Sequence, residues 1–370
     1  MRVTIERSAF LKALNHVQSV VERRNTIPIL SNVLVQAAAG KVRLTATDLD
    51  IEIVESVAAD VAKDGAATVP AHMLYDIVRK LPDGAQLELE QGPDSGRVSI
   101  FAGRSRFALQ ALPHEDFPDL AAGEFGHRFT LSCADLRGLI DKTRFAISTE
   151  ETRYYLNGIY LHEVPQASLL RAVATDGHRL AQAQIARPEG AKGMPGVIVP
   201  RKTVLEVVKL IEGEEGDVDV ALSSSKIRFT AGNLVLTSKL IDGTFPDYER
   251  VIPRHNDKLL SVDTKVFSDA VDRVSTISME KGRAVKLNIS DSKLVLTVNN
   301  PDSGSAEEEI AATYEHDPID IGFNARYLLD VAGQIKSGTM NFSLADAGSP
   351  TIVRDPGDEQ ALYVLMPMRV

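Results

Sequence analysis

The chain has 370 residues, 44% of them hydrophobic and 25% charged, which describes a globular protein too long for one ordinary domain. Cys133 is the only cysteine, which excludes a disulfide framework and a thiolate metal cluster, and no apolar run reaches the ~18 residues that cross a membrane. A cytoplasmic protein with no membrane partner, no metal and no cofactor is expected, and the net charge of −10 argues against binding nucleic acid unless the basic residues gather on one face.

Met1 to Glu6 alternates like a strand. A first helix follows, with an apolar stripe of Phe10, Leu11, Leu14, Val17 and Val21 at 3.6-residue spacing. Next come a strand at Lys41 to Ala46, the segment Thr47-Asp48-Leu49, and a second helix opening after Pro70, where a missing N–H costs nothing. Alternating strands at Gln86 to Glu90, Arg97 to Phe101 and Phe107 to Leu112 lead to a polar tail, His114 to Leu120, containing Phe117-Pro118-Asp119.

The middle third repeats the plan. Ser132 caps a helix carrying Leu136, Leu139 and Ile140; Thr175-Asp176-Gly177 follows a strand; Pro200 opens another helix. Val235 to Leu240 reads as a strand, and Asp242 to Pro253 is a second polar tail containing Phe245-Pro246-Asp247. In the last third Asp263 caps a helix with Val266, Phe267, Val271 and Val274, Lys293 to Val298 matches Lys41 to Ala46, and Asn324 caps a helix through Tyr327 to Val331. The chain closes on a strand, Ala361 to Met368.

The shared order, at shifts of 128 and 252 residues, marks three divergent copies of one unit, residues 1–121, 122–254 and 255–370. Each copy is two helices laid across antiparallel sheet, an α+β class, and the tails His114 to Leu120 and Asp242 to Pro253 read as linkers. The helical windows are net positive, except 263–279, so the acidic excess falls on the rest of the chain. That suits helices turned towards phosphates, and equally suits ordinary solvated helix faces.

Asp176, His178 and Arg179 together invite a hydrolase reading. A general base needs a positioned nucleophile, and the sequence contains no G-x-S-x-G elbow, no HExxH and no Walker loop. Thr-Asp also recurs at Thr47-Asp48 without the histidine, as a turn residue would. A repeat scaffold that does not bind DNA is the third reading.

Arg153-Tyr154-Tyr155-Leu156-Asn157-Gly158, Ala174 to Leu180, Val199-Pro200-Arg201-Lys202, Phe245-Pro246-Asp247-Tyr248 and Met366-Pro367-Met368-Arg369 together resemble the bacterial sliding clamps, the beta subunits of DNA polymerase III. Ile27 to Leu30 and Gly103 to Phe107 extend the resemblance through the first third, so it spans the chain. It implies three clamp domains and a head-to-tail homodimer, a six-domain ring with helices lining a hole for double-stranded DNA. It implies no catalysis, and partners that include the polymerase III alpha subunit, the clamp loader, and other polymerases and repair proteins.

The resemblance also assigns sites. A partner peptide would meet Leu156, Thr175, Gly177, His178, Arg179, Leu180, Pro246, Arg250, Val251, Asn324, Tyr327, Val364, Met366, Pro367, Met368 and Arg369. DNA would face Arg24, Lys12, Arg79, Lys80, Lys142, Tyr154, Tyr155, Arg201, Lys202 and Lys209, with Glu150 standing where the family has glutamine. The dimer seam would pair Phe107 and Leu109 with Thr276 and Ile277, and Arg104 and Arg106 with Glu307, Glu308 and Glu309. Thr276, Gly304 and Ser305 depart from the family pattern, which implies a ring that opens more readily.

Overall fold

A computed structural model describes residues 1–23, 25–92, 96–120, 123–278 and 284–369. Six α-helices lie among them: α1 (Arg7–Val17), α2 (Ala71–Lys80), α3 (Cys133–Asp141), α4 (Arg201–Leu210), α5 (Thr264–Ser275) and α6 (Ala325–Ala332). The capping expected from sequence is present. The Ser132 hydroxyl accepts from Asp135 N at 3.0 Å, the Asp263 carboxylate from Val266 N at 2.8 Å, and the Asn324 amide oxygen from Arg326 N at 3.0 Å. Glu6 caps α1 through Ala9 N, a role its side-chain type does not advertise.

Contacts divide the chain into two compact units, 1–137 with 188–194 and 202–240, and 138–187 with 195–201 and 241–370. In the first unit a five-stranded antiparallel sheet runs in the order Asp60–Lys63, Arg2–Glu6, Gln86–Glu90, Arg97–Ala102, Ser105–Gln110. Its eight-stranded sheet joins the second copy's His127–Ser132, Asp217–Leu222, Lys226–Ala231 and Leu234–Lys239 to the first copy's Ile51–Ala58, Lys41–Thr47, Asn32–Ala38 and Gly65–Pro70. The joint is the ladder in which Leu236 faces Ile53. α1 buries Phe10, Ala13, Leu14 and Val17, packing on α2 and on Ile51–Ala58.

The second unit repeats the scheme. Its eight-stranded sheet is ordered Val197–Pro200, Gly158–Val164, Leu169–Thr175, Arg179–Ala186, Ala361–Leu365, Thr351–Arg354, Thr339–Leu344, Lys258–Asp263. The four-stranded sheet is Gly304–Ala311, Lys293–Asn300, Ala284–Ser290, Ile319–Asn324. Here Leu180 faces Val364 and joins the second copy to the third. α5 packs on α6 and on the strands Gly304–Ala311 and Lys293–Asn300.

One expectation is corrected. The segment 242–253 is no linker: Phe245 and Tyr248 are buried in a cluster with Leu156, Val173, Leu180, Ile198, Ile352 and Val364. Burying a large apolar side chain contributes about 1.5–3 kcal/mol, so these two residues fasten the segment to the sheet. The earlier tail is also held, since Leu120 N donates to the Glu52 carboxylate at 3.1 Å.

Candidate peptide-binding site

The site grows from one turn. Thr175 Oγ1 accepts from Gly177 N at 3.1 Å, and Asp176 Oδ1 accepts from His178 N at 2.9 Å and Arg179 N at 3.1 Å. Gly177 sits at φ +90°, which glycine adopts without strain, and a Cβ there would lie 2.5 Å from Arg153 Nη1 and push the guanidinium aside. Arg153 in turn forks onto Glu150 at 2.8 and 2.6 Å. That hydrogen-bonded pair pulls the Glu150 pKa down, and it neutralises the charge that would otherwise repel phosphate.

Arg179 is the hinge of the site, with its side chain 7% exposed. Its Nε donates to Asp176 Oδ2 at 3.1 Å, its Nη1 to Asp330 on α6, and its Nη2 to the Phe145 carbonyl at 2.6 Å. The guanidinium is stacked between the Tyr327 ring at 4.3 Å and the Phe145 ring at 5.2 Å. Both oxygens of Asp176 are thus engaged in holding the turn and Arg179. A carboxylate so occupied is poorly placed to act as a free base, so the hydrolase reading gains no support from it.

On one side of Arg179 lies an apolar cleft of about 270 Å³, lined by Leu156, Thr175, Gly177, Leu180, Pro246, Val251, Val364 and Met366 of the expected set. Arg153, Tyr155, Asp247 and Tyr248 complete it; of these, Tyr155 was expected to face DNA and the other three were not singled out. Val251 and Met366 of this lining are exposed large apolar residues. The thioether of Met366 adapts to differently shaped side chains. On the other side lies a polar cavity of about 340 Å³ holding His178, Tyr327, Arg201, Arg144, Arg326 and Asp330. Arg250, Asn324, Pro367, Met368 and Arg369 line neither cavity: Arg250 pairs with Asp247 at 2.7 Å, Asn324 caps α6, and Met368 N bonds to the Gly322 carbonyl at 2.8 Å.

Several basic residues assigned to DNA are already paired. Lys12 reaches Glu214 at 3.4 Å, Arg79 reaches Asp76 at 3.1 Å, Lys142 reaches Asp358 at 2.5 Å, Lys209 reaches Glu206 at 2.8 Å, and Lys202 bonds to Asp48. Lys80 and Arg201 are exposed. Tyr154 is 53% exposed and meets the Tyr155 ring edge-on at 5.8 Å. Arg24 lies outside the described residues.

Most of the residues expected at a seam fall on two sheet edges. Arg106, Phe107 and Leu109 lie on Ser105–Gln110, the last strand of the five-stranded sheet, with Arg104 in the turn before it. Glu307, Glu308 and Glu309 lie on Gly304–Ala311, the last strand of the four-stranded sheet. Thr276 and Ile277 follow α5, and Glu308 already receives Arg273 at 2.5 and 3.0 Å.

An apolar cleft beside a turn whose carboxylate is already occupied suits a docking protein better than an enzyme. Family models for the N-terminal, central and C-terminal domains of the DNA polymerase III beta subunit match residues 1–121, 130–247 and 249–369. The chain belongs to that family. It is 56% identical to the beta sliding clamp of Caulobacter vibrioides and 40% identical to that of Escherichia coli K12, with each chain covered in full. The solved clamp of Bartonella birtlesii bound to griselimycin superposes with a TM-score of 0.97 at 58% identity over the whole of both chains. The chain works as a sliding clamp on DNA and catalyses no reaction.

Proposed function

We propose that the three copies, 1–121, 122–254 and 255–370, are clamp domains, and that two chains close head to tail around double-stranded DNA. Partners dock a short peptide in the cleft beside Arg179. The observation that carries this reading is the apolar cleft itself, which gathers residues from the turn at 175–180, the segment 246–251 and the last strand at 364–366. Two exposed sheet edges of opposite charge, Arg104 and Arg106 against Glu307 to Glu309, support the dimer, because unpaired edges add strands readily.

The partners are the polymerase III alpha subunit, the clamp loader, and other polymerases and repair proteins carrying a clamp-binding peptide, all acting in the cytoplasm at the nucleoid. The gain is one of effective concentration: a tethered polymerase that lets go of its template rebinds before it diffuses away. Contact with DNA is weak, salt-sensitive and blind to sequence, as sparse lysines and arginines make it.

The test is topological. The protein is loaded by a clamp loader onto nicked circular plasmid and the plasmid is then linearised. Retention on circles with loss on linear DNA is expected, and equal retention on both overturns the reading.

A further inference from the structure

Tyr248 lines the apolar cleft with its ring, yet its hydroxyl faces a polar cluster on the strands of the sheet. Arg171 Nη1 donates to Tyr248 Oη at 2.9 Å and reaches Glu249 Oε1 at 3.2 Å. The other edge of the guanidinium holds Gln184 Oε1 at 3.1 and 3.0 Å. His162 Nε2 lies 2.9 Å from the same phenolic oxygen, and its Nδ1 lies 2.9 Å from the Glu163 carbonyl. A carbonyl can only accept, so Nδ1 carries the proton and Nε2 is left to accept from the phenol. The tautomer is set by the backbone, and the buried hydroxyl has both a donor and an acceptor.

The rings continue the support. His162 stacks on Tyr160 at 4.7 Å, and Tyr160 stacks on Phe245 at 4.8 Å with the planes 6° apart. Phe245 and Tyr248 flank Pro246, and Tyr248 opens the short helix that ends at Val251. The wall of the cleft therefore hangs from two points, the Phe245 ring and the Tyr248 hydroxyl.

We propose that His162 and Arg171 are positioning residues of the cleft: by fixing the Tyr248 hydroxyl they hold the Pro246–Val251 wall and set the depth offered to an apolar peptide anchor. This rests on the cleft being the peptide site. Neither residue lines the cleft, so both act through Tyr248.

The arrangement predicts an acid-sensitive cleft. The charged groups facing the imidazole are Arg171 from the neighbouring strand and Glu249 from the short helix, while the Glu163 carboxylate is turned to Arg187. Burial pushes the His162 pKa below its ordinary 6.5 and Arg171 adds to the shift, with the Glu163 carbonyl and Glu249 opposing. Since the folded value is the lower one, the tether is intact above pH ~6.5 and is lost as pH falls through the depressed value. Protonated Nε2 no longer accepts the phenolic proton, which is then buried without a partner.

The measurement is fluorescence anisotropy of the full-length protein with a fluorescein-labelled short peptide ending in two large apolar residues, across a pH series. Wild type binds with constant affinity near neutral pH and more weakly in acid. His162→Ala binds about tenfold more weakly at neutral pH, the loss of one buried hydrogen bond. His162→Gln, whose amide oxygen accepts the phenol, restores neutral-pH affinity and shows no acid step. Tyr248→Phe shows the neutral-pH loss and no acid step, and gives the answer if His162→Ala does not fold. Wild-type affinity in both His162→Ala and Tyr248→Phe, or an acid step that survives in His162→Gln, overturns the proposal and leaves the cleft standing. Failure of the wild type to bind the peptide overturns the cleft reading and the proposal with it.

Discussion

The turns Thr47–Ile51 and Thr175–Arg179 share one backbone design and differ in what the second carboxylate oxygen does. In both, the threonine hydroxyl accepts from the residue two ahead, at 3.0 Å from Leu49 N and 3.1 Å from Gly177 N. In both, the first aspartate oxygen accepts two further amides, Asp50 and Ile51 in one and His178 and Arg179 in the other. The other oxygen is then free for local use. Asp48 gives it to Lys202 at the surface, and Asp176 gives it to Arg179 inside the site. A third version exists in the last copy, where Asn300 Oδ1 accepts from Asp302 N at 2.9 Å and Nδ2 donates to the Ile277 carbonyl at 3.0 Å. One oxygen builds the turn, and the remaining atom is where the copies diverge.

The largest effect should come from the buried use. Arg179→Ala leaves Asp176 Oδ2 facing no cation, leaves Asp330 with only Arg326 at 3.9 Å, and empties the space between two rings. Breaking a buried pair from one side costs about 3–5 kcal/mol. Urea unfolding should show that loss and peptide binding should vanish. A midpoint unchanged from wild type would mean that Arg179 is not the hinge.

Glycine is the next point of difference. Gly177 and Leu49 both take positive φ, +90° and +78°, but only Gly177 is crowded, by the Arg153 guanidinium. Gly177→Ala should cost about 1–2 kcal/mol from the backbone alone, and more as Arg153 is displaced. Leu49→Gly trades relieved strain against added unfolded freedom, so thermal melts should place it within about 0.5 kcal/mol of wild type. Equal effects at the two sites would show that crowding by Arg153 is unimportant.

The strands after the turns differ in a titratable way. Glu52 sits where the second copy has Leu180, and it is 9% exposed. Burial holds its pKa above the ordinary carboxylate value, against the opposing Leu120 N–H. For a raised acid the stability is fully present below the ordinary value of 4.5 and is lost as pH rises through the raised one. Glu52→Gln should therefore be more stable than wild type at neutral pH, with the gap closing in acid. Denaturant midpoints at the two pH values decide it, and a gap independent of pH would show that Glu52 ionisation is not the cause.

Much of this was legible in the residues, and the gaps have physical reasons. The helices announced themselves through apolar stripes and through Ser132, Asp263 and Asn324 as caps, whereas Glu6 capped α1 unseen because glutamate is not a favoured cap. The turn was visible twice because Thr-Asp is spelled out twice, and it was hidden at Asn300, where Asn-Pro keeps only the first of the two amide bonds and proline has no N–H where Leu49 and Gly177 donate theirs. Segment 242–253 read as a linker because proline and acid signal a loop; the missed signal was two aromatics three residues apart, Phe245 and Tyr248. The cleft came from the family resemblance alone. The Arg179–Asp330 bond joins residues 151 apart, and no local pattern encodes that pairing.

The smallest predicted effect closes the comparison of the two turns. Lys202 bonds to Asp48 Oδ2 as Arg179 does to Asp176, but its side chain is 42% exposed and its second acid, Glu22, is 3.8 Å away. Asp48 is only 10% exposed, so the pair is part-buried, but with Lys202 open to solvent it contributes about 1 kcal/mol, and salt reduces it further. Lys202→Ala should shift the urea midpoint slightly and leave peptide affinity unchanged, because Asp48 Oδ1 still holds the turn through Asp50 N and Ile51 N. Its charge is also partly spent on Asp48, so removing it should lower the salt dependence of DNA binding less than removing the exposed Arg201 does. A loss as large as that of Arg179→Ala would mean that the second oxygen, and not the first, is what holds the turn, and the division of labour between the two oxygens would have to be abandoned.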